Sequence, residues 1–455
     1  MKTLRIGAGA GFASDRIDPA VDLAQRGQLD YLVFECLAER TIALSQLRKR
    51  QNPTLGYDPM LEPRMRAVLP ACRKHGTRIL SNMGAANPRA AAQRTIEIAQ
   101  QLGLRGLRVA CLEGDDVLLA HAPSFLPFDD EPLPDSAQIL TANAYLGADA
   151  IAQALATGAD VVLTGRVADP SLFVGAFLHT FGWSQQDWNR LGQATAVGHL
   201  LECAGQLTGG YFADPGFKDV PHLERLGFPL AQVSEDASVQ LSKLPGTGGV
   251  LDLQTCREQI LYEVMDPSAY LTPDVAADFT TLRFTQQGQD RVHVCGATGR
   301  PRPDHYKLSI GVEDGYLAEA QISYAGPGAL ARARLAAHIL RSRLEHLHPA
   351  QLRLDLHGVQ AIFGESASPD GTPAASAAEP SEIRLRAAAR FHDPAHPALA
   401  EQRAAELTRE VESLYLNGPA GGCGVTSSVR HNIAIVPGLI PRDCVRTTVT
   451  LLEVP

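Results

Sequence analysis

The chain of 455 residues is longer than one ordinary hydrophobic core supports, so its length predicts two or three domains. An apolar fraction of 45% and a charged fraction of 20% are typical of a soluble globular protein. The formal charge of −9 comes without a basic stripe, which argues against nucleic acid as a partner. No apolar run reaches the roughly 20 residues that span a bilayer, and MKTLRIGAGAGF reads as a first strand rather than a signal peptide. We therefore expect a cytoplasmic protein without membrane contact.

The eight cysteines are scattered along the chain, with no CxxC motif and no tight cluster. This spacing argues against a disulfide framework and against a structural zinc site, and it favours reduced thiols. The cysteines therefore predict no metal site of their own.

The first part of the chain alternates apolar strands with amphipathic helices. The predicted strands lie in LRIGAGAGF, LDYLVFECLAERT, TRILSNMGAANP, LRVACLEGDDV and ADVVLTGRVADPSLF. Between them stand helical segments such as IDPAVDLAQRG and PRAAAQRTIEIAQQLG. This pattern predicts an α/β fold with a mainly parallel, doubly wound sheet that is covered on both faces. An open sheet is favoured over a closed barrel because the regular alternation fades after Phe173.

The pattern changes near Thr280. The segments RVHVCGATG, YKLSIGVEDG and LAEAQISYAG alternate with period two between glycine-containing turns, which is typical of an antiparallel meander. Two helices follow among further strands, so the C-terminal part is expected to be α+β. We therefore place domains at residues 1–280 and 281–455. The small, polar, low-complexity text near residues 364–382 predicts a mobile loop.

Polar or glycine-rich text follows five predicted strands in the first part. Ligands of open α/β sheets bind at the carboxyl ends of the strands, so this recurrence favours a shared cleft over ordinary loop polarity. We expect Glu35, Asn82, Glu113 and Arg166 to line one edge of the sheet. The residues expected to bind the substrate there are Gly9, Gly11, Asn82, Glu113, Arg166 and Asp169.

Two of these loops have an alternative interpretation. GAGAGF spells G-x-G-x-G rather than the dinucleotide fingerprint G-x-G-x-x-G, so no nicotinamide or flavin cofactor is expected, although Glu35 stands where a ribose-binding acid would lie. Arg166 and Asp169 can form an ion pair that braces their turn. Alternatively, the Arg166 guanidinium binds a carboxylate or phosphate of the ligand.

The stretch GHLLECAGQLTGGYF carries the densest set of reactive groups. If it is helical, His199, Glu202, Cys203 and Gln206 share one face without any Lys or Arg, while Leu200, Ala204 and Leu207 form an apolar face.

Three interpretations of this polar face remain open. In the first, it is a buried face bonded to neighbouring backbone. In the second, His199 and Glu202 bind a divalent metal ion, for which no third ligand is evident. In the third, His199 is an acid–base group oriented by Glu202, and Gln206 binds the substrate. Cys203 would be a nucleophile only if His199 activated its thiol.

In the C-terminal part, NGPAGGCGVTSS is conspicuous. Its glycines, among them Gly421 and Gly422, allow consecutive backbone N–H groups to bind an anion. The alternative is an ordinary turn between a helix and a strand. Arg442 could add a positive charge if its loop folds back.

Together these segments resemble the acyclic terpene utilisation AtuA family. The likeness is carried by RIGAGAGFASDR, GQLDYLVFECLAE, NMGAANP, TGRVADPSL, GHLLECAGQLTGGYF, YAGPGALARARLA and LNGPAGGCGV, and it runs from about Arg5 to the C-terminus. The resemblance implies bacterial breakdown of acyclic isoprenoids and other branched carboxylic acids alongside acyl-CoA enzymes. It also implies an α/β N-terminal part and a ferredoxin-like C-terminal part. It supplies no assigned reaction, and it implies that a small partner subunit can complete the protein.

Residues and resemblance together predict a catabolic enzyme that acts on a small branched carboxylate or its CoA ester. A lyase of the hydratase or dehydratase type fits best, with His199, Glu202 and Cys203 as catalytic residues. The alternatives are a hydrolase that uses Cys203 or a metal-bound water, and a non-catalytic subunit that binds an acyl-CoA. A homo-oligomer is expected.

Overall fold

The computed structural model describes residues 2–118, 124–359, 361–362 and 380–455. It divides the chain into two compact units, of which unit 1 is Met1–Val312 with Ile435–Pro455 and unit 2 is Glu313–Ala434. The boundary predicted near Thr280 falls inside unit 1, because strands on both sides of that residue pair in one sheet. The mobile loop predicted near 364–382 lies largely outside the described residues.

The helices and strands alternate through unit 1 as the sequence pattern predicts. In chain order, the strands of the described residues are β1 (Thr3–Ala10), β2 (Tyr31–Phe34), β3 (Arg78–Ser81), β4 (Arg108–Glu113), β5 (Leu126–Pro127), β6 (Ile139–Ala144), β7 (Val161–Thr164), β8 (Pro229–Ser234), β9 (Val239–Lys243), β10 (Tyr270–Leu271), β11 (Ala276–Asp278), β12 (Arg283–Gly288), β13 (Arg291–Cys295), β14 (Thr298–Arg300), β15 (His305–Ala325), β16 (Gln351–His357), β17 (Glu382–Phe391), β18 (Cys423–Pro441) and β19 (Thr448–Glu453). The helices are α1 (Asp18–Arg26), α2 (Glu39–Gln51), α3 (Leu61–His75), α4 (Pro88–Gln101), α5 (Ala148–Ala156), α6 (Ser171–Phe181), α7 (Trp188–Glu202), α8 (Leu253–Leu261), α9 (Ala329–Leu344) and α10 (Pro397–Asn417).

Unit 1 is built on a ten-stranded sheet with the order β12-β13-β9-β8-β1-β2-β3-β7-β4-β19. The five strands from β1 to β4 in this order are parallel to their neighbours. Antiparallel strands flank them on both sides. The predicted α/β class is therefore confirmed, and the sheet as a whole is mixed because β8, β9, β13, β12 and β19 add antiparallel edges.

Two layers of helices cover the parallel strands. Helices α1, α3 and α4 pack against one another, and α5, α6 and α7 form a second group. The chain leaves β3 through α4 of the first group and leaves the adjacent β7 for α6 of the second group. The strand order therefore changes direction between β3 and β7, which is where open α/β sheets bind their ligands.

Helix α7 is the central helix of unit 1. All of its residues from Leu191 to Glu202 are buried, and it contacts β1, α6, α8 and the three-stranded sheet β10-β11-β14. Because no face of this helix meets water, its polar side chains must be satisfied within the protein or by a ligand.

Unit 2 has the element order β15-α9-β16-β17-α10-β18, with a sheet order of β16-β17-β15-β18. Alternate residues of β17 (Ile383, Leu385 and Ala387) pack with Leu407 of α10 and Leu340 of α9 in one hydrophobic cluster. This arrangement agrees with the predicted α+β layer of antiparallel strands backed by helices. Among the described residues of both units, no helix is long and apolar enough to cross a membrane.

Gly11 follows β1 and packs against Cys203, the residue that follows α7. We predict that a side chain at Gly11 destabilises unit 1. A Cβ at Gly11 would lie 2.5 Å from the carbonyl carbon of Cys203, a backbone atom that cannot rotate away. Gly11→Ala should therefore lower the free energy of unfolding by about 1–3 kcal/mol, the usual cost of overpacking. Urea unfolding followed by the fluorescence of Trp183 and Trp188 measures it.

Gly103→Ala is the matched control. Gly103 has a positive φ of 72°, and no described atom lies within 4 Å of a Cβ built there. That variant should cost only the backbone strain of a left-handed alanine, roughly 1–2 kcal/mol. A Gly11→Ala protein as stable as wild type would show that β1 and α7 do not meet as described.

Candidate active site

The predicted residues Glu35, Asn82, Glu113 and Arg166 lie at the same edge of the parallel strands. Each follows or ends one of the strands β2, β3, β4 and β7. The register aligns these strand ends, since Phe34 pairs with Ser81 and Ser81 pairs with Leu163. Parallel pairing therefore brings the first polar residues after each strand to one edge, but not all of their side chains join one cluster.

Arg166 is the fixed cation of this edge. Its side chain is only 2% exposed, and its Nη2 lies 3.0 Å from Oδ1 of Asp169. The guanidinium carbon lies 4.1 Å above the centre of the Tyr145 ring. Within the described part of the chain, its Nε and Nη1 have no hydrogen-bond partner. The expected Arg166–Asp169 pair is thus present, and it leaves two donor atoms of the guanidinium unused.

Asp169 is the partly exposed member of this ion pair. Its side chain is 36% exposed, although burial is the main cause that raises its pKa, ahead of the opposing effect of Arg166. Of the two paired side chains, Asp169 is therefore the one that solvent reaches.

Glu35 is a buried carboxyl group next to the same charges. Its Oε1 accepts hydrogen bonds from Asn82 Nδ2 at 2.8 Å and from the Leu37 amide at 3.0 Å. Burial, followed by the charge of Asp169, raises the pKa of Glu35 to about 8, against the opposing effect of Arg166. Burial therefore favours the protonated form of Glu35.

Asn82 orients Glu35. Its Oδ1 accepts the Cys36 amide at 2.7 Å while its Nδ2 donates to Glu35. Both ends of the amide are thus engaged within the protein, and the proposed contact of Asn82 with a substrate stays a prediction.

Three residues that the sequence did not single out complete the cluster on the other side of Arg166. The Tyr145 hydroxyl donates to Glu39 Oε1, and Lys307 Nζ lies 3.3 Å from the same oxygen. Burial acts against ionisation of Glu39, but Arg166 and the Tyr145 hydroxyl lower its pKa to about 2. Tyr145 follows β6, which is not among the five strands predicted from the sequence, and Lys307 lies within β15, so the predicted strand ends mark neither residue.

The Asp115 carboxylate accepts a hydrogen bond from the backbone of Arg166 and so fixes its position. Its Oδ2 accepts the Arg166 amide at 2.9 Å and Asn143 Nδ2 at 2.8 Å. Burial raises the pKa of Asp115 to about 6. Asp115 belongs to the EGDD text after β4, in which Glu113 was the predicted residue.

Glu113 itself points to other partners. Its Oε2 accepts from Arg89 Nη2 at 3.0 Å, and its backbone pairs with Thr448 of β19. These contacts hold it at the paired border of β4 and β19, so its role in substrate binding stays a prediction.

His199 and Glu202 form a buried pair at the C-terminal end of α7. His199 Nδ1 lies 2.7 Å from Glu202 Oε1, and their side chains are 2% and 9% exposed. Burial lowers the pKa of His199 to about 4. Burial, followed by the charges of Asp169 and Glu263, raises the pKa of Glu202 well above its ordinary value. Burial therefore favours the neutral form of both groups.

Aromatic rings enclose the His199 imidazole. Its ring centre lies 5.1 Å from that of Tyr270 and 6.1 Å from that of Phe279, with the Phe279 ring nearly parallel to it. Gln259 Nε2 donates to the His199 carbonyl at 3.1 Å. The outer atoms of the pair, His199 Nε2 and Glu202 Oε2, have no hydrogen-bond partner among the described residues. The backbone of His199 is thus held in place by Gln259.

The helix predicted through Gln206 ends earlier. Helix α7 stops at Glu202 with Cys203 as its C-cap, and Ala204 has a positive φ of 43° at the start of a 3₁₀ turn. Gln206 therefore lies beyond α7, in the 3₁₀ turn, where it lines a pocket with Gln259 and Tyr262, and its role in substrate binding stays a prediction. Leu200, Ala204 and Leu207 are fully buried in the core, as predicted.

Cys203 is partly buried behind the pair. Burial, followed by the charge of Glu202, raises the pKa of its thiol. His199 Nδ1 bonds to Glu202 and not to this sulfur. A neutral thiol is a poor nucleophile, so these contacts favour acid–base chemistry over the predicted catalytic cysteine.

The predicted glycines have packing roles in this structure. A Cβ at Gly9 would lie 2.7 Å from the Phe34 ring, and Gly11 meets Cys203. Gly421 and Gly422 belong to unit 2, where a Cβ at Gly422 would lie 2.9 Å from Ile322. The anion-binding role of these glycines stays a prediction.

Arg442 belongs to unit 1 and lies above another tyrosine. Its guanidinium carbon is 4.1 Å from the centre of the Tyr306 ring, and its Nη1 donates to the Pro273 carbonyl. Its guanidinium is thus engaged within unit 1, and its contribution to an anion site stays a prediction.

A metal ion finds few ligands here. Across the described ranges, no group of three or more His, Cys, Asp and Glu side chains is arranged to hold an ion. His199 and Glu202 already bond to each other through the atoms nearest in space. The donor set therefore fits an acid–base pair better than a metal site.

We predict that Glu35 makes the stability of unit 1 depend on pH. The folded protein holds this proton up to about pH 8, whereas the unfolded chain releases it near 4.5. The free energy of unfolding should therefore fall as pH rises through this window, by roughly 1.4 kcal/mol for each unit of pKa difference. Glu35→Gln keeps the Oε1 acceptor and should flatten this slope in urea unfolding followed by tryptophan fluorescence.

Glu62→Gln is the control for this experiment. Arg94 and Arg66 lower the pKa of exposed Glu62, so its contribution is lost as pH falls and does not act between pH 5 and 8. An unchanged slope in Glu35→Gln would mean that Glu35 is ionised in the folded protein.

Comparisons with known proteins agree with the resemblance seen in the sequence. A scan against protein families matches residues 4–451 to the acyclic terpene utilisation family protein AtuA. Neither the curated proteins nor the solved structures give a significant match. The family match covers nearly the whole chain, and its name indicates a metabolic role in the use of acyclic terpenes. The chain therefore belongs to the acyclic terpene utilisation family AtuA.

Proposed function

We propose that the protein is a catabolic enzyme that performs acid–base chemistry beside the carbonyl group of a small branched carboxylate or its CoA ester. The addition or removal of water, a lyase reaction, fits this chemistry best. The observation that carries the proposal is the buried His199–Glu202 pair, whose two outer atoms are unpaired among the described residues. The family name supplies the branched, terpene-derived substrate class.

The pair can donate and accept a proton without creating net charge. In one tautomer Glu202 donates to His199 Nδ1, so that Nε2–H is a donor and Oε2 an acceptor. In the other, Nδ1–H donates to Glu202, so that Oε2–H is the donor and Nε2 the acceptor. A reaction that takes a proton from one substrate atom and returns one to another suits such a pair, because a buried net charge would be costly.

Arg166 would bind the anionic oxygens of the substrate. Its Nε and Nη1 have no partner within the described ranges, and each of these atoms could donate a charge-assisted hydrogen bond to an anionic oxygen. For a CoA ester, the same donors would stabilise the negative charge that develops on the thioester oxygen. Protonated Glu35 is a third candidate donor in this cluster.

Two alternatives require other properties of this site. A hydrolase that relies on Cys203 needs a thiolate, whereas burial raises the pKa of this thiol. A non-catalytic subunit that binds an acyl-CoA needs no acid–base pair, so it is separated from the proposed enzyme by a substitution of His199.

We further propose that unit 2 is a ferredoxin-like domain. Its support is the β-α-β-β-α-β element order together with a sheet order of β16-β17-β15-β18. A homo-oligomer and a small partner subunit remain part of this proposal.

Solvent deuterium exchange tests the proposed chemistry. Branched α,β-unsaturated acids and their CoA esters are incubated with the enzyme in D₂O, and deuterium at the carbon beside the carbonyl is measured by mass spectrometry. We expect His199→Ala and Glu202→Gln to lower the exchange rate by roughly 10²–10⁴-fold, the usual contribution of a positioned acid–base group.

The matched control is another histidine–glutamate pair. His346 Nε2 lies 3.0 Å from Glu406 Oε1 on the surface of unit 2, where the His346 side chain is 60% exposed. His346→Ala should leave exchange unchanged. Full exchange in a folded His199→Ala protein would exclude the acid–base role and favour the acyl-CoA-binding subunit. Unfolding of both site variants would indicate that the pair is structural.

A further inference from the structure

A separate pocket lies behind the His199–Glu202 pair, at the turn that ends α7. It has a volume of about 120 Å³ and is lined by Gln206, Tyr211, Phe212, Thr255, Glu258, Gln259 and Tyr262. An engineered cavity of about 150 Å³ holds a benzene molecule. The pocket thus has room for about five carbon atoms.

Gln259 lines the pocket and carries a side-chain oxygen that lacks a hydrogen-bond partner among the described residues. The residue is 1% exposed, and its Nε2 is fixed by the His199 carbonyl at 3.1 Å. Its Oε1 is buried and has no hydrogen-bond partner among the described residues. A buried acceptor of this kind costs free energy unless a donor reaches it.

The negative charge of Glu258 at the pocket is balanced by a neighbouring cation. Glu258 forms an ion pair with Lys218, and the Lys218 ammonium lies 4.9 Å above the Phe212 ring. The pocket therefore offers no net charge and selects a neutral group with an apolar body.

Tyr211 stands at the mouth of the pocket in a strained backbone conformation. Its φ is 60°, which is uncommon for a residue other than glycine. Its side chain is 88% exposed, and its ring lies edge-on to Tyr262 at 6.2 Å. An aromatic ring left this exposed beside a pocket gains apolar contact when a ligand fills the space.

We propose that this pocket binds a branched apolar group of about five carbon atoms that carries one hydroxyl group, with the hydroxyl donating to Gln259 Oε1. The group is either the far end of the substrate, which rests on the proposed function, or a separate small molecule. In both cases the ligand contacts the residue that holds the backbone of His199.

Binding of 3-methylbutan-1-ol, measured by ligand-observed NMR titration, tests the proposal without any need for turnover. The methyl ether of this alcohol has the same body but cannot donate, and it should bind roughly fivefold more weakly because it lacks one hydrogen bond. Gln206→Phe fills the pocket and should weaken alcohol binding at least tenfold.

Tyr211→Ala should also weaken binding, and Phe217→Ala is its matched control. Phe217 is 87% exposed on the same loop and does not line the pocket, so this substitution should leave the affinity unchanged. The proposal is overturned if alcohol and ether bind wild type equally, or if Gln206→Phe binds the alcohol as well as wild type does.

A competition experiment separates the two sources of the ligand. A carboxylate with the same hydroxylated five-carbon end should displace the alcohol if the pocket holds the far end of the substrate. Simultaneous binding of a short carboxylate and the alcohol, without displacement by the longer acid, identifies a separate ligand. A failure of the deuterium exchange experiment would leave these binding results intact.

Discussion

The burial of one guanidinium is the constraint on which the rest of this site depends. Arg166 cannot lose its charge, and water does not reach its side chain. Its charge must therefore be balanced by the protein or by a ligand. Asp169 and the Tyr145 ring supply part of that balance. The Nε and Nη1 atoms have no hydrogen-bond partner among the described residues, and under the proposed function an anionic substrate supplies the remainder.

The charge of Arg166 also influences the pKa values of the carboxyl groups around it. Arg166 lowers the pKa of Glu39, whereas Glu35 and Glu202 lie deeper, and burial raises their pKa values against the attraction of the guanidinium. The pKa values of acids around one permanent cation are therefore shifted in opposite directions. Such separation of pKa values within one site is what acid–base catalysis requires. Backbone contacts from Asp115 and Gln259 hold Arg166 and His199 in place while leaving their outer atoms free.

Much of this arrangement could be predicted from local patterns. The alternation of strands and helices predicts the parallel strands, and parallel strands necessarily bring Glu35, Asn82 and Arg166 to one edge. The i, i+3 spacing of His199 and Glu202 predicts their pairing, which the helix provides. These features depend on residues that are near in sequence or on a repeated unit, so a single sequence contains them.

Other features depend on contacts between distant segments. Tyr145, Glu39 and Lys307 come from three separate parts of the chain, and only the tertiary fold brings them to Arg166. The boundary near Thr280 was misplaced because β12 and β13 return to the first sheet. Gln206 lies outside α7 because the helix ends before it, where Ala204 adopts a left-handed conformation. Alanine gives no local signal for that conformation. The hydrogen-bond partner of a side-chain amide is equally hard to predict from the sequence, as Asn82 shows by donating to Glu35.

The protonation state of the buried carboxyl groups tests the central claim most directly. Infrared difference spectroscopy of protein with carboxyl-labelled glutamate, compared with Glu35→Gln and Glu202→Gln, counts the protonated groups at pH 7. We expect each of these two variants to lose one protonated carboxyl signal, and Glu39→Gln to lose none. Arg166→Met should add a protonated signal from Glu39, because its ionisation depends on the guanidinium. Ionised Glu35 and Glu202 in the wild-type protein at pH 7 would contradict the account.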